Sequence, residues 1–267
     1  MNVAKLGRNK TAQSEEEHIV KKRLAILFAA LSLGLGVALL ALFSGSIDST
    51  ALANNDVAGS RCNELPSHGD LLAAISATVH DADGDGFDLE AWATVVNRDG
   101  VVCAVAFTGG DRGSQWPGSR VISAQKANTA NSFSLPGLAL STAMLYSLVQ
   151  PGGSLYGLQH SNPVDTDVAY GGSPRNYGAH NDPMVGGRIG GVNVFGGGLA
   201  LYDDDGTLLG GIGMSGDTAC RDHANARNAR ALLGLDSTPT SDDIIFDVAD
   251  DAHGNPESAS GFGHPSC

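Results

Sequence analysis

Residues 210–216, GGIGMSG, set Gly211, Gly213 and Gly216 in the G-x-G-x-x-G spacing that lets a backbone approach a pyrophosphate at a helix N-terminus. An apolar run precedes them and a helical stretch, DTACRDHANARNARALLGL, follows, so the local context admits that chemistry. A second stretch, DADGDGFDLEAW, places Asp81, Asp83, Asp85 and Gly86 at positions 1, 3, 5 and 6 of a calcium loop. Position 12 should be a bidentate glutamate but is Trp92, and no second helix follows. An acidic surface loop is therefore favoured over a calcium site. Ser215 lies in G-M-S-G, not at the centre of G-x-S-x-G, and the chain order offers no hydrolase triad; its plainer role is to cap the helix that follows.

The elements that must carry these groups follow from periodicity. HGDLLAAISATVHDA (68–82) has helical apolar spacing at Leu71, Leu72, Ile75 and Val79. WATVVNRDGVVCAVAFTGG reads as a β-hairpin turning at Asn97–Gly100, where Asp-Gly supplies positive φ. GSRVISAQKANTANSFS and LALSTAMLYSLVQ read as helices. Residues 150–194 are rich in Gly, Asn and Pro without a period, and a loop of that length in a compact domain serves function or assembly. VFGGGLALYDDDGTLLGGIGMSG reads as a second hairpin around Asp203–Gly206, and the helix 218–234 ends at a C-cap glycine, Gly234. This order gives an α+β domain on an antiparallel sheet, 68–236, after a lead-in at 54–67. Residues 237–267 form a polar tail that wraps the domain, pinned by Cys267.

Lys21, Lys22 and Arg23, the apolar run 24–43 and the small residues ALA at 51–53 form an export signal cleaved before Asn54. The 20-residue run is also long enough to span a bilayer, so an uncleaved N-terminal anchor is the alternative. Both place the domain outside the cytoplasm, periplasmic or secreted. Residues 54–267 hold ten arginines and lysines against 25 acids, a formal charge of −15, which argues against nucleic acid or anionic lipid as partner. Lys126 is the one lysine among them. Cys62, Cys103, Cys220 and Cys267 match no C-x-x-C knuckle, so two disulfides are expected in an oxidising compartment. Of the three connectivities, Cys62–Cys103 with Cys220–Cys267 is favoured because each bond ties a segment end to the core.

The hairpin decides against a dinucleotide. A dinucleotide loop opens a parallel βαβ sheet, whereas the strand before Gly211 pairs through a short turn, and only 51 residues follow Gly216. Asp236 and Asp247 also lie 25 and 36 residues beyond Gly211, too far for the ribose-binding acid. Glycines inside strands more often admit another backbone or a flat ligand, and Gly196, Gly197 and Gly198 on the partner strand strengthen that reading. SAQKANTANSFS, FGGGLALYDDDGTLLGGIGMSGD and CRDHANARNAR, in this order and spacing, together resemble the GlcG/HbpS-like haem-binding family over about residues 68–234. The shared features are a K-A-x-T-A helix, a G-G-G hairpin ending in G-x-G-x-S-G, and a D-[EH]-x-x-A helix. The 150–194 insert and the four cysteines depart from the short members and are similar to longer exported relatives.

The resemblance implies a five-stranded antiparallel sheet flanked by helices and a homo-oligomer. It also implies a haem carrier, scavenger or sensor accessory, in the last case with a membrane sensor as partner. An enzyme acting on haem or on a small hydroxy acid is the alternative, though no redox or acid–base constellation is visible. A non-catalytic oligomeric module with a vestigial pocket is a third reading. Haem needs a flat apolar slot, an axial ligand and cations for its propionates. The resemblance puts Lys126 and Thr129, three apart on a helix, at the pocket, with Lys126 or Arg120 on a propionate and Thr129 as an oxygen ligand or water anchor. The plainer alternative is a partly exposed helix with Thr129 packed on the sheet. Gly197, Gly198 and Gly213 would form the slot. His223 stands where the family often has an acid, and could ligate iron or hold the glycine loop by hydrogen bonds. Asp222 beside it reads as first-turn charge on the helix dipole. His160 and His180, in the long insert with Tyr156, Tyr170 and Tyr177, are the other iron-ligand candidates, against a solvated-loop reading.

Overall fold

The computed structural model describes residues 62–80, 86–251 and 256–267. The expected export segment and the aspartates Asp81, Asp83 and Asp85 of the calcium-like stretch lie outside them. Helix α1 (His68–Ser76) starts at a capping box: Ser67 accepts from the Asp70 N–H while the Asp70 carboxylate accepts from the Ser67 N–H, and Leu71 and Ile75 are buried. It is shorter than the apolar spacing predicts; Thr78 and Val79 follow it in turns.

Both hairpins form. Strands β1 (Trp92–Asn97) and β2 (Val102–Phe107) pair antiparallel, and the Asn97 side chain accepts from the N–H groups of Asp99 and Val101 in the turn. Strands β3 (Gly198–Tyr202) and β4 (Leu208–Ser215) pair likewise, with Asp203 accepting from Asp205 and Thr207. Short polar side chains that bond their own turn explain why Asn and Asp open both loops. The sheet order is β2-β1-β4-β3, antiparallel throughout, so the glycines of β4 open no parallel βαβ unit.

Helix α2 (Ser119–Phe133) packs on one face of the sheet, burying Val121, Ala124 and Ala127 with Trp92, Val96 and Val105. Helix α5 (Ala219–Leu232) joins α1 in a second cluster, where Ala226 and Ala229 meet Leu71, Ile75, Leu199 and Leu201. With apolar layers on both sides, all eight β4 residues are buried. This is the expected α+β architecture. Among the described residues the main sheet has four strands where about five were implied, and an antiparallel pair in the tail, β5 (Val248–Asp250) and β6 (Pro256–Ser258), forms a separate sheet of its own.

The stretch LALSTAMLYSLVQ is not a continuous helix but two short 3-10 turns, Ala143–Leu145 and Ser147–Val149. Thr142 explains this: its N–H donates to Gly198 O, and its hydroxyl donates to Phe195 O and accepts from Gly198 N–H. Those bonds hold the chain against the start of β3 and displace the helical register. The insert holds two single-turn helices, α3 (Leu158–Ser161) and α4 (Thr166–Ala169). Both favoured disulfides are present, Cys62–Cys103 and Cys220–Cys267. Among the described residues no helix is long and apolar enough to cross a membrane.

Candidate functional site

The glycines of β3 and β4 are answered by a backbone. A Cβ on Gly213 would lie 2.0 Å from Ser123 O and 2.5 Å from Ala127 N, and one on Gly198 would lie 2.5 Å from Lys126 O. Helix α2 therefore rests directly on the strands, at a distance that only glycine permits, and the space over Gly198 and Gly213 is filled by α2 rather than left as a slot. Gly197, at φ +115°, turns the chain beneath the Lys126 ammonium and is left-handed enough that only glycine sits there unstrained.

Lys126 and Thr129 are both fully buried in this interface, so the partly exposed helix face of the plainer reading is not what forms. Lys126 Nζ donates to Asp222 Oδ2 at 2.7 Å and to Met214 O at 2.9 Å, and it lies 4.9 Å from the Phe195 ring centroid. Asp222 Oδ1 accepts from the Asp217 N–H at 3.0 Å. Burial pulls the lysine below its ordinary range and pushes the aspartate up to about 6, against the attraction of the ammonium. The pair ties α2 to the first turn of α5, a larger role for Asp222 than dipole charge. The Thr129 hydroxyl donates to Gln125 O and accepts from the Asn193 N–H, fastening the end of the insert to α2. Helix α5 is capped by Thr218, which accepts from Arg221 N–H; Ser215 instead ends β4, opposite Trp92, which corrects its expected role as the cap.

Arg120 reaches a cavity, but not as a free cation. Buried at the start of α2, its Nε donates to Asp182 Oδ2 at 2.8 Å, a terminal nitrogen donates to Asp182 Oδ1, and Nη1 donates to Ala169 O at 2.7 Å. Its Cζ lies 3.6 Å from the Tyr177 ring centroid. These contacts clamp the insert onto α2. Above them lies a cavity of about 380 Å³ whose lining includes Trp92, Arg112, Val121, Tyr170 and Tyr177 besides Arg120.

His223 lies elsewhere, on the wall of a cavity of about 220 Å³ formed with Cys220, Arg227, Asp243, Ile244 and Phe246. It is 4 % exposed, and neither ring nitrogen has a hydrogen-bond partner, so it does not hold the glycine loop. Burial is the main cause that pushes its pKa down to about 3, helped by the cations Arg230 and Arg227 and by His264 and opposed by Asp243. The imidazole is therefore neutral at physiological pH, with a lone pair to offer. Arg227 pairs with Asp243 at 3.4 Å, both half-exposed, an interaction of little worth and easily exchanged. Arg227 is four residues past His223 on one helical face, a spacing readable from the sequence; Ile244 and Phe246 come from the tail and had no such signal.

His160 and His180 are exposed in the insert and line neither cavity. The one grouping of metal-ligand atoms found among the described residues, Cys220, His264 and Cys267, has both sulfurs in a disulfide and so offers no thiolate.

Residues 67–231 match the family model described as "Haem degrading protein HbpS-like". Among solved structures the chain is similar to PduOC in complex with haem, at 24% identity over 65% of this chain and 98% of that one, TM-score 0.45. It is similar to the Klebsiella pneumoniae protein ORFY at 23% identity, over 62% and 86% of the two chains, TM-score 0.42. It is also similar to a double mutant of Streptomyces reticuli HbpS at 21% identity, over 65% and 94%, TM-score 0.40. Comparison with curated protein sequences gives no match.

Proposed function

We propose that this chain, which belongs to the HbpS-like family, is an exported haem-binding protein that docks haem at the His223 wall. The observation that carries the reading is a buried imidazole with both nitrogens unpartnered beside an apolar cavity. A buried polar group left without a hydrogen bond costs on the order of 1–3 kcal/mol, a burden that a bound partner would relieve.

The donor types suit the group, and the cavity of about 220 Å³ would take one edge of it, with the rest lying over the exposed Phe246. Haem would supply an iron centre, and His223, kept neutral by its burial, is the residue that would hold it. Ile244 and Phe246 give apolar surface, and Phe246 is 60% exposed. Arg227 can leave Asp243 for a propionate, as a charge-assisted pair. Lys126 and Thr129 serve the site from behind: the Lys126–Asp222 pair fixes the α5 turn that aims His223, and Thr129 holds the insert in place. Both disulfides support a location in an oxidising compartment, periplasmic or secreted. Carriage, scavenging and sensing alike need a bound haem and no catalytic group beyond it; a homo-oligomer and a membrane sensor partner belong to the same reading.

The test is a haem titration of the purified chain followed at the Soret band, with His223→Ala and Arg227→Ala beside it. A saturable, shifted band is expected in the wild type, lost in His223→Ala and weakened in Arg227→Ala. A wild-type spectrum identical to free haem, or a His223→Ala protein that binds as well as wild type, sinks the proposal.

A further inference from the structure

The cavity beneath the insert has a chemistry that haem docking at His223 does not use, and the two cavities share no lining residue. Its volume, about 380 Å³, falls in the small-molecule range. Its walls are aromatic: Trp92 from β1, and Tyr170 and Tyr177 from the insert. Trp92 is 1 % exposed, and its indole N–H has no hydrogen-bond partner. In a protein of formal charge −13, two arginines line this cavity and no acid does.

The two arginines are not equivalent. Arg120 is neutralised by Asp182 and is built into the wall against Tyr177. Arg112 is exposed and has no partner among the described residues. Its neighbour Asp111, also exposed, is engaged in its own turn, where its carboxylate accepts from the Gly113 N–H at 2.6 Å. Helix α2 also begins at this cavity: its N-cap, Gly118, provides no side-chain cap, and its first turn holds no acid. The N–H groups of Ser119 and Arg120 turn back to Trp116 O and Pro117 O, so this end of α2 offers the cavity the positive end of its dipole beside the Arg112 guanidinium.

From these features we infer that the insert creates a second binding site, selective for a small planar aromatic monocarboxylate. The ring lies among Trp92, Tyr170 and Tyr177, where offset and edge-to-face contacts add to apolar burial. The carboxylate meets Arg112 and the α2 N-terminus. The aromatic lining, with one unpaired arginine and no acid in the wall, favours a ring that carries a single carboxylate. Tyr170 and Tyr177 come from residues 150–194, so the site depends on the insert.

Benzoate is the probe and benzyl alcohol its neutral counterpart, titrated into the full chain at constant ionic strength by calorimetry. The chain has only two tryptophans, so in a Trp116→Phe background the fluorescence of Trp92 reports the cavity directly. Saturable benzoate binding, tighter than that of benzyl alcohol and accompanied by a Trp92 signal, is expected. Arg112→Met should weaken benzoate about tenfold or more, the scale of a hydrogen bond to a charged group, and leave benzyl alcohol unchanged. Gly118→Leu should block both ligands. A Cβ at Gly118 meets nothing within 4 Å and its φ of −63° suits any residue, so the melting temperature should stay at the wild-type value. Absence of saturable benzoate binding, equal affinity for both probes, or wild-type binding by either variant overturns the inference.

Discussion

Replacing Gly213 with alanine tests whether the strand glycines serve helix packing or a ligand slot. The added Cβ would sit 2.0 Å from Ser123 O, 2.5 Å from Ala127 N and 3.0 Å from Lys126 Cβ. Two of these neighbours are backbone of α2, and no rotamer change relieves them. Restoring ordinary contact of about 3.5 Å means lifting α2 by more than an ångström, which loosens dispersion contacts along its buried face. Overpacking that side chains absorb costs about 1–3 kcal/mol, so a clash against backbone belongs at about 3 kcal/mol or above. For a domain of this size that is a fall in Tm of roughly 6–12 °C. Urea and thermal unfolding of Gly213→Ala should show it without added ligand, while Gly137→Ala, whose Cβ meets nothing within 4 Å, stays near wild type. A Gly213→Ala protein within about 0.5 kcal/mol of wild type, with haem binding lost, would refute the packing argument and return Gly213 to the ligand slot.

Three further outcomes follow from the same geometry. Lys126→Met leaves Asp222 buried without its ammonium, a loss of about 3–5 kcal/mol at pH 8 in urea unfolding; the loss should shrink at pH 5, where the aspartate escapes by protonation, and a pH-independent loss contradicts the pairing. His223 has a folded pKa of about 3, below its ordinary 6.5, so the unfolded chain binds the proton more readily and stability falls as pH drops from about 6.5 toward 3. Asp222, with its folded pKa raised to about 6, acts in the opposite sense: the stability it contributes at acid pH is lost as pH rises through 6. His223→Leu should therefore lose less stability than wild type on acidification, and an unchanged profile would remove His223 from the account. Gly69→Ala, in the exposed first turn of α1 with its Cβ no closer than 3.8 Å to Ser67 Oγ, should gain about 0.4–1 kcal/mol in the same unfolding assay.

The sequence by itself determined what local chemistry controls. Asn97–Gly100 and Asp203–Gly206 set both hairpins because their side chains bond their own turns, and Ser67 with Asp70 starts α1 for the same reason. Gly234, at φ +66°, stops α5 where a C-cap glycine should. The hairpin around the G-x-G-x-x-G run was enough to dismiss a dinucleotide, because antiparallel pairing is a local consequence of a short turn. Only the tertiary structure decided what long-range contacts control. It paired Lys126 with Asp222 and Arg120 with Asp182, which turns two cations that looked available into closed ion pairs. It broke the apolar stretch around Thr142 into short turns, since bonds to Gly198 and Phe195 outweigh local helix preference. It left His223 buried without a partner and folded the insert over Trp92 and Arg112. A site's burial depends on which distant segments meet, and the insert's irregular sequence carries no period from which that meeting could be read.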